Sequence, residues 1–269
     1  MSTLRYAMAA CAIIASAQAA EAAKLMGLTA DNGLVSIDTE SRRASGAVPI
    51  TGTDGRVLGI DQRPQDGRLY GVTERGQIVR IDGISGAATQ VSRLNMPFDG
   101  GGRAVVDFNP VANRLRLMGM NGTNFRVNIE TGEVVRDGTL KYMDGSPQSG
   151  TTPRVTAGAY TNSMVASVPP VAGAPAPTTA LYTLDTLLGS FNLQAPPNDG
   201  VQQIKGMLGM SVPNSVGFDI LSDDAGGNMG MVLAAGTLHS IDLTTGALTT
   251  LGPIGGMPAA EVIDIAAMR

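Results

Sequence analysis

Gly76-Gln77-Ile78-Val79-Arg80-Ile81-Asp82-Gly83-Ile84-Ser85-Gly86-Ala87-Ala88-Thr89 returns as Gly236-Thr237-Leu238-His239-Ser240-Ile241-Asp242-Leu243-Thr244-Thr245-Gly246-Ala247-Leu248-Thr249. Two relatives of this run lie elsewhere, at Phe125-Arg126-Val127-Asn128-Ile129-Glu130-Thr131-Gly132 and Gly33-Leu34-Val35-Ser36-Ile37-Asp38-Thr39-Glu40-Ser41. Each is an alternating strand that ends on Asp or Asn, usually followed by a Ser/Thr-Gly pair. Asp or Asn opens such a turn by accepting from the backbone ahead of it, and Gly closes it at positive φ. Alternation on both sides makes each run a hairpin. The anchors at 38, 82, 128 and 242 are 44, 46 and 114 residues apart, so the last gap holds one degenerate copy. Residues 155–212 fill that gap, with a Pro/Ala insertion at 169–177 read as a surface loop.

Two further signals share the repeat. Met26-Gly27-Leu28, Tyr70-Gly71-Val72, Met118-Gly119-Met120 and Met229-Gly230-Met231 precede the anchors, with Tyr182-Thr183-Leu184 as a looser fifth. Bulky–small–bulky triplets suit a strand packed between two sheets. Ile60-Asp61-Gln62-Arg63-Pro64, Val106-Asp107-Phe108-Asn109-Pro110 and Phe218-Asp219-Ile220 open the units. One unit therefore has four short strands, near 57–62, 68–73, 77–82 and 87–92. Four strands in forty to fifty residues make a propeller blade.

The ends of the chain fit the same scheme. The first repeat, from Lys24, lacks the Asp-bearing strand, and the chain finishes on Glu261-Val262-Ile263-Asp264-Ile265, which is that strand alone. Pairing 261–267 beside 25–30 completes one blade and leaves no open edge. The expectation is an all-β, five-bladed β-propeller, closed by pairing the C-terminal strand with the N-terminal blade.

The N-terminus reads as a secretory signal. Arg5 supplies a positive start, Ala7 to Ala17 an apolar run, and Ala17-Gln18-Ala19 a small-x-small cleavage pattern. The expected division is a signal peptide at 1–19, with cleavage up to about 22, and a single propeller domain at 20–269. The apolar run is shorter than the roughly 20 residues a spanning helix needs, so no transmembrane segment is expected. Cys11, the only cysteine, lies inside the segment to be removed, which leaves no disulfide or thiolate site. A composition with 43% hydrophobic and 16% charged residues can bury a sizeable core. The net charge of −4 gives no basic surface for nucleic acid.

Most chemistries are excluded by what is missing. With His239 the only histidine, a site of several imidazoles cannot be built, and no Gly-x-Ser-x-Gly elbow accompanies it. Gly100-Gly101-Gly102 precedes no helix and is read as a turn between blades, not a phosphate cradle. The pairs Met118/Met120, Met229/Met231 and Met207/Met210 resemble soft copper(I) donors. The first two fill the slot of Tyr70 and Val72, which favours core packing. Asp61, Asp107, Asp219 and Asp264 share one slot, on the strand expected to line the central channel. Their repetition favours a structural role, with each carboxylate accepting backbone N–H groups. A cation site, with Ca²⁺ as the cofactor, and a catalytic carboxylate pair remain open beside it. Arg63 and Arg103 are expected to neutralise part of this charge.

The chain resembles a bacterial secreted family catalogued as domain of unknown function 4394. The likeness rests on Leu58-Gly59-Ile60-Asp61, Arg63-Pro64, Gly67-Arg68-Leu69-Tyr70-Gly71, Asp107-Phe108-Asn109-Pro110 and Asn113-Arg114-Leu115-Arg116. It continues through Ala159-Tyr160-Thr161-Asn162, Pro196-Pro197-Asn198-Asp199-Gly200 and Gly217-Phe218-Asp219. His239 stands where an aromatic Tyr is more usual. The resemblance implies a secreted, propeller-like protein and no catalytic residues. Two functions follow as expectations. One is an exported, monomeric, non-catalytic propeller of the periplasm or cell exterior, which binds a protein or glycan of the cell envelope. The other is a carbohydrate-active hydrolase that uses the channel aspartates.

Overall fold

In the computed structural model the described residues are 24–163, 178–223 and 226–268. The expected signal segment with Cys11, and the insertion at 169–177, lie outside them. The described chain forms five sheets arranged as the five blades of a propeller.

The first blade joins both ends of the chain. Its order is β22 (Val262–Met268), β1 (Lys24–Thr29), β2 (Gly33–Asp38) and β3 (Arg43–Ala44), with β4 (Val48–Pro49) also on β2. The second blade is β5 (Val57–Arg63), β6 (Arg68–Thr73), β7 (Gln77–Ile81) and β8 (Ala88–Arg93). The third is β9 (Ala104–Asn109), β10 (Arg114–Gly119), β11 (Asn124–Val127) and β12 (Val134–Arg136). The fourth runs β14 (Val155–Tyr160), β15 (Leu181–Asp185), β16 (Ser190–Gln194) and β17 (Val201–Met207), and β13 (Lys141–Tyr142) adds a parallel edge. The fifth is β18 (Val216–Ser222), β19 (Asn228–Ala234), β20 (Thr237–Ile241) and β21 (Leu248–Pro253). The innermost strands β22, β5, β9, β14 and β18 pack side by side around the centre.

Each hydrophobic cluster is the seam between two blades. Tyr70 and Val72 meet Phe108 and Leu117 between the second and third. Leu184 and Phe191 meet Phe218 and Val232 between the fourth and fifth. Leu28 meets Ile60 between the first and second, Leu25 meets Met231 between the fifth and first, and Val105 meets Val155 between the third and fourth. Second strands are therefore buried on both faces, and β6 reads as a continuous apolar run instead of alternating. Outermost strands such as β8 and β21 are mostly exposed.

The hairpin anchors behave as their residue types require. Asp82 Oδ1 accepts the N–H groups of Ile84 and Ser85, and Gly86 closes the turn at φ 73°. Asp242 Oδ1 does the same for Thr244 and Thr245, ahead of Gly246 at φ 76°. The bulky–small–bulky triplets, in contrast, do not share one register. Gly71 stands opposite Ile60, Gly230 opposite Ile220, Gly27 opposite Ile265, and Gly119 opposite Ala104. A pattern that alternates survives a slip of two residues unchanged, so the sequence cannot fix that offset. The residues that do face the aspartate slot are Tyr70, Arg116, Met231 and Leu28.

Candidate functional site

The four slot aspartates, Asp61, Asp107, Asp219 and Asp264, lie on the inner strands β5, β9, β18 and β22, and all are buried. Each links its own blade to the next. Asp61 Oδ2 accepts Phe108 N–H at 2.7 Å, and Asp107 Oδ1 accepts Tyr160 N–H at 3.0 Å. Asp219 Oδ2 accepts Ala267 N–H at 2.5 Å, and Asp264 Oδ2 accepts Ile60 N–H at 2.9 Å. The other oxygens of Asp61, Asp219 and Asp264 accept the next N–H of their own strands, from Gln62, Ile220 and Ile265.

The fourth blade breaks the series. Ala159 faces Tyr182 as Asp61 faces Tyr70, so this slot of the fourth blade offers no carboxylate to the fifth. A neutral pair does the work at that seam: Asn162 N–H donates to Asn228 Oδ1 at 2.8 Å, and Asn228 Nδ2 donates to Asn162 Oδ1 at 2.7 Å. Ser163 N–H donates to Ser222 Oγ alongside them.

The carboxylates crowd one another. One oxygen each from Asp61, Asp107 and Asp219 lie within 4.8 Å of each other. Burial is the largest cause that raises all four and the backbone amides oppose it; neighbouring aspartates add to the rise at Asp61, Asp107 and Asp264. Asp219 is pushed up to about 6 and Asp264 to about 7. Asp61 and Asp107 are raised well above the usual carboxylate range, by burial first; Asp219 adds to the rise of Asp61, and Asp61 and Asp219 add to that of Asp107.

Of the two arginines expected to neutralise the hub, one does. Arg103 lowers Asp264 and donates to the Ile263 carbonyl, and its own pKa is depressed by burial. Arg63 instead turns outward, to Glu130 at 2.5 Å and Asn113 Oδ1 at 2.9 Å. Arg63 is the last residue of β5, where the strand leaves the centre.

A pocket of about 250 Å³ opens where β5 and β18 end. Asp61 and Asp219 line it together with Gln62, Gln65, Ser163 and Ser222. At least one oxygen of each of the three clustered residues faces the others, and a calcium ion, which collects six to eight oxygens, would need further ligands beside them. Backbone amides hold lone pairs of the oxygens of Asp61, Asp219 and Asp264, and of one oxygen of Asp107.

Of the remaining candidates, His239, Met118, Met120 and Met231 are buried, whereas Met207 and Met210 are exposed. His239 is buried on β20 with Nδ1 3.1 Å from Thr250 Oγ1, and burial lowers its pKa. Met118 packs in the seam between third and fourth blades, and Met231 in that between fifth and first. Met229 is half exposed, which departs from the expected core position; it is Met231, two residues on, that faces Asp219 as Tyr70 faces Asp61.

Sequence reasoning missed a second polar centre. Arg116, 2% exposed, donates to Asp137 Oδ2 at 2.7 Å, Asn124 Oδ1 at 2.8 Å, Asn198 Oδ1 at 3.0 Å and Tyr160 Oη at 3.2 Å. Arg126 holds the same Asp137 from the other side. The available signal was a charge set between apolar neighbours in Leu115-Arg116-Leu117-Met118.

The chain belongs to the family described as Domain of unknown function (DUF4394), whose model matches residues 33–266. None of the curated proteins matches the sequence. Among solved structures, a protein of unknown function from Bacteroides thetaiotaomicron VPI-5482 is similar at 18% identity and TM-score 0.51. The likeness covers 92% of this chain and 65% of that one, so the chain spans a little under two thirds of it. A protein of unknown function from Bacteroides caccae is similar at 12% identity and TM-score 0.45, over 86% of this chain and 73% of that one. At these identities the first likeness concerns the fold alone.

Proposed function

We propose that this member of the family is an exported, non-catalytic binding propeller, with the channel aspartates as structural clasps and the pocket beside them as the recognition surface. The observation that carries the reading is the use of the carboxylate oxygens: they accept backbone amides of neighbouring blades. A group engaged in that way is poorly placed to pass protons to a substrate. The partner is a protein or glycan of the cell envelope, met by a monomer, and the localisation is the periplasm or cell exterior. No helix among the described residues is long and apolar enough to cross a membrane. Pull-down of the mature protein from an envelope fraction, followed by glycan-array binding, tests the reading. Failure of both would sink it, and N-terminal sequencing that finds Met1 retained would sink the export. As a structural hub, the wild type should gain no thermal stability from added calcium.

The hydrolase alternative draws on one observation, the elevated pKa of Asp219, which is what a general acid needs. Against it stands a carboxylate spacing within 4.8 Å, below the roughly 5–10 Å used in glycoside hydrolysis. Turnover of aryl glycosides or polysaccharides that is lost in Asp219→Asn would favour this alternative.

A further inference from the structure

The methionines of this chain divide between core and surface. Met118 and Met231 fill seams between blades and are 0% and 2% exposed. Met207 and Met210 are 51% and 38% exposed, and they lie outside the bulky–small–bulky triplets that hold the other two methionine pairs. Cys11 is the only cysteine, so from Lys24 onward thioethers are the only sulfur groups that the chain offers.

The backbone under the exposed pair is held in place. Met207 ends β17 opposite Ser190. Leu208 is buried and bonded on both sides: its N–H donates to the Gly189 carbonyl, and its own carbonyl accepts Leu248 N–H. Gly209 then turns the chain at φ 75°, and Met210 follows. The Leu208–Gly189 bond brings this segment against the turn that carries Leu187 and Leu188, both of them exposed. Two leucines and two methionines therefore form an apolar corner on the fourth blade, anchored from below by Leu208.

We propose that Met207 and Met210 are a reversible oxidation site for hydroperoxides, and that sulfoxidation turns this corner from an apolar patch into a polar one. The sulfur lone pair attacks one peroxide oxygen, and the O–O bond breaks as the S–O bond forms. The transferred oxygen passes its proton to the departing hydroxide or alkoxide, which leaves as water or alcohol. Sulfur loses two electrons and the peroxide gains them, so no further reactant is needed. A flexible apolar side chain becomes a polar, chiral one. Met118 and Met231 react only when the ring opens around them. Because Leu208 keeps its seat, oxidation of its exposed neighbours leaves the fold intact. The site does not depend on what the pocket binds.

The test treats the folded mature chain with hydrogen peroxide and follows the sites by peptide mass spectrometry. Met207 and Met210 should take up oxygen at least about tenfold faster than Met118 and Met231. Retention on a hydrophobic-interaction column should fall as they react, and methionine sulfoxide reductases A and B, one for each epimer, should restore it. The double variant Met207→Leu with Met210→Leu keeps the apolar bulk without the thioethers, and should lose less retention than the wild type. The double variant Met143→Leu with Met229→Leu, altered at two other exposed methionines, should lose as much as the wild type. Met207 and Met210 left unmodified, or core methionines oxidised at the same pace, overturn the proposal. So does a loss of retention that is equal in both double variants, or that the reductases do not reverse. A urea midpoint that falls together with retention would mean unfolding and not a surface change, and overturns it as well. The peptide map needs no variant, so it decides the site even where a variant fails to fold.

Discussion

Gly59 explains why the aspartate slot carries glycine two residues earlier in two blades. A β-carbon there would stand 2.8 Å from Asp264 Oδ2 and 2.8 Å from Val106 Cγ2. The clasp between first and second blades therefore exists only because β5 lacks a side chain at that point. Gly217 plays the matching part against Ile265, where a β-carbon would lie 2.8 Å from Cγ2. Gly59→Ala should cost about 1–3 kcal/mol by overpacking, measured by urea unfolding. Gly46, whose added β-carbon meets nothing within 4 Å, is the control and should change little when replaced by Ala. The slot itself was legible, because Asp61, Asp107, Asp219 and Asp264 recur in the same flanking pattern. Which oxygen reaches which neighbouring amide was not, since that depends on the stagger between blades and not on spacing along the chain.

Strand β10 shows where reading by repeats stops working. Its Arg116 occupies the place of Tyr70, facing Asp107 across the pair. The apolar cluster of that seam is eked out by a polar network that ties β10 and β11 to the turn at Pro197–Asp199. Sequence alone offered the Pro196-Pro197-Asn198-Asp199-Gly200 run as a family likeness, without its partner. The fourth blade is degenerate for a related reason. Its interior strands carry buried polar side chains, with Thr183 Oγ1 donating to Gln202 Oε1 at 2.6 Å and Gln202 Nε2 to Gln194 Oε1 at 2.7 Å. Its turn at Asp185–Gly189 copies the anchor chemistry but joins second and third strands, not third and fourth. A repeat detected by its apolar periodicity and turns is blurred by both changes. Arg116→Ala should destabilise by about 3–5 kcal/mol, because Asp137 and Asn198 lose a buried partner. Arg116→Lys keeps the charge but not the planar fork, and should fall between. Equal stabilities for all three chains in guanidinium unfolding would show the network to be idle.

At the scale of the whole ring, β22 does more than add one strand. It pairs with β1 from Lys24↔Met268 to Leu28↔Asp264, and it packs between β18 and β5 at the centre. It brings Val262, Ile265 and Ala266 into two seams. It also supplies one half of each of two clasps: Asp264 accepts Ile60 N–H, and Ala267 N–H is what Asp219 accepts. Removing residues 261–269 therefore strips the first blade of its inner strand, exposes the edge of β1, and leaves Asp219 with one fewer donor. A cost of several kcal/mol follows from the lost apolar burial alone, at about 25 cal/mol per Å². For a domain of this size each kcal/mol moves the melting midpoint by about 2–4 °C. The truncated chain should thus melt more than about 10 °C below the full chain, or fail to fold. A synthetic peptide of residues 261–269, added in trans, should recover part of that loss by completing the sheet edge, as strand addition does. Two results in scanning calorimetry would count against this account: a truncated chain that melts within a degree or two of the full one, or one that melts early and ignores the peptide. The first would mean that the ring does not need its C-terminal strand. The second would mean that the loss comes from general unravelling and not from one missing, replaceable strand.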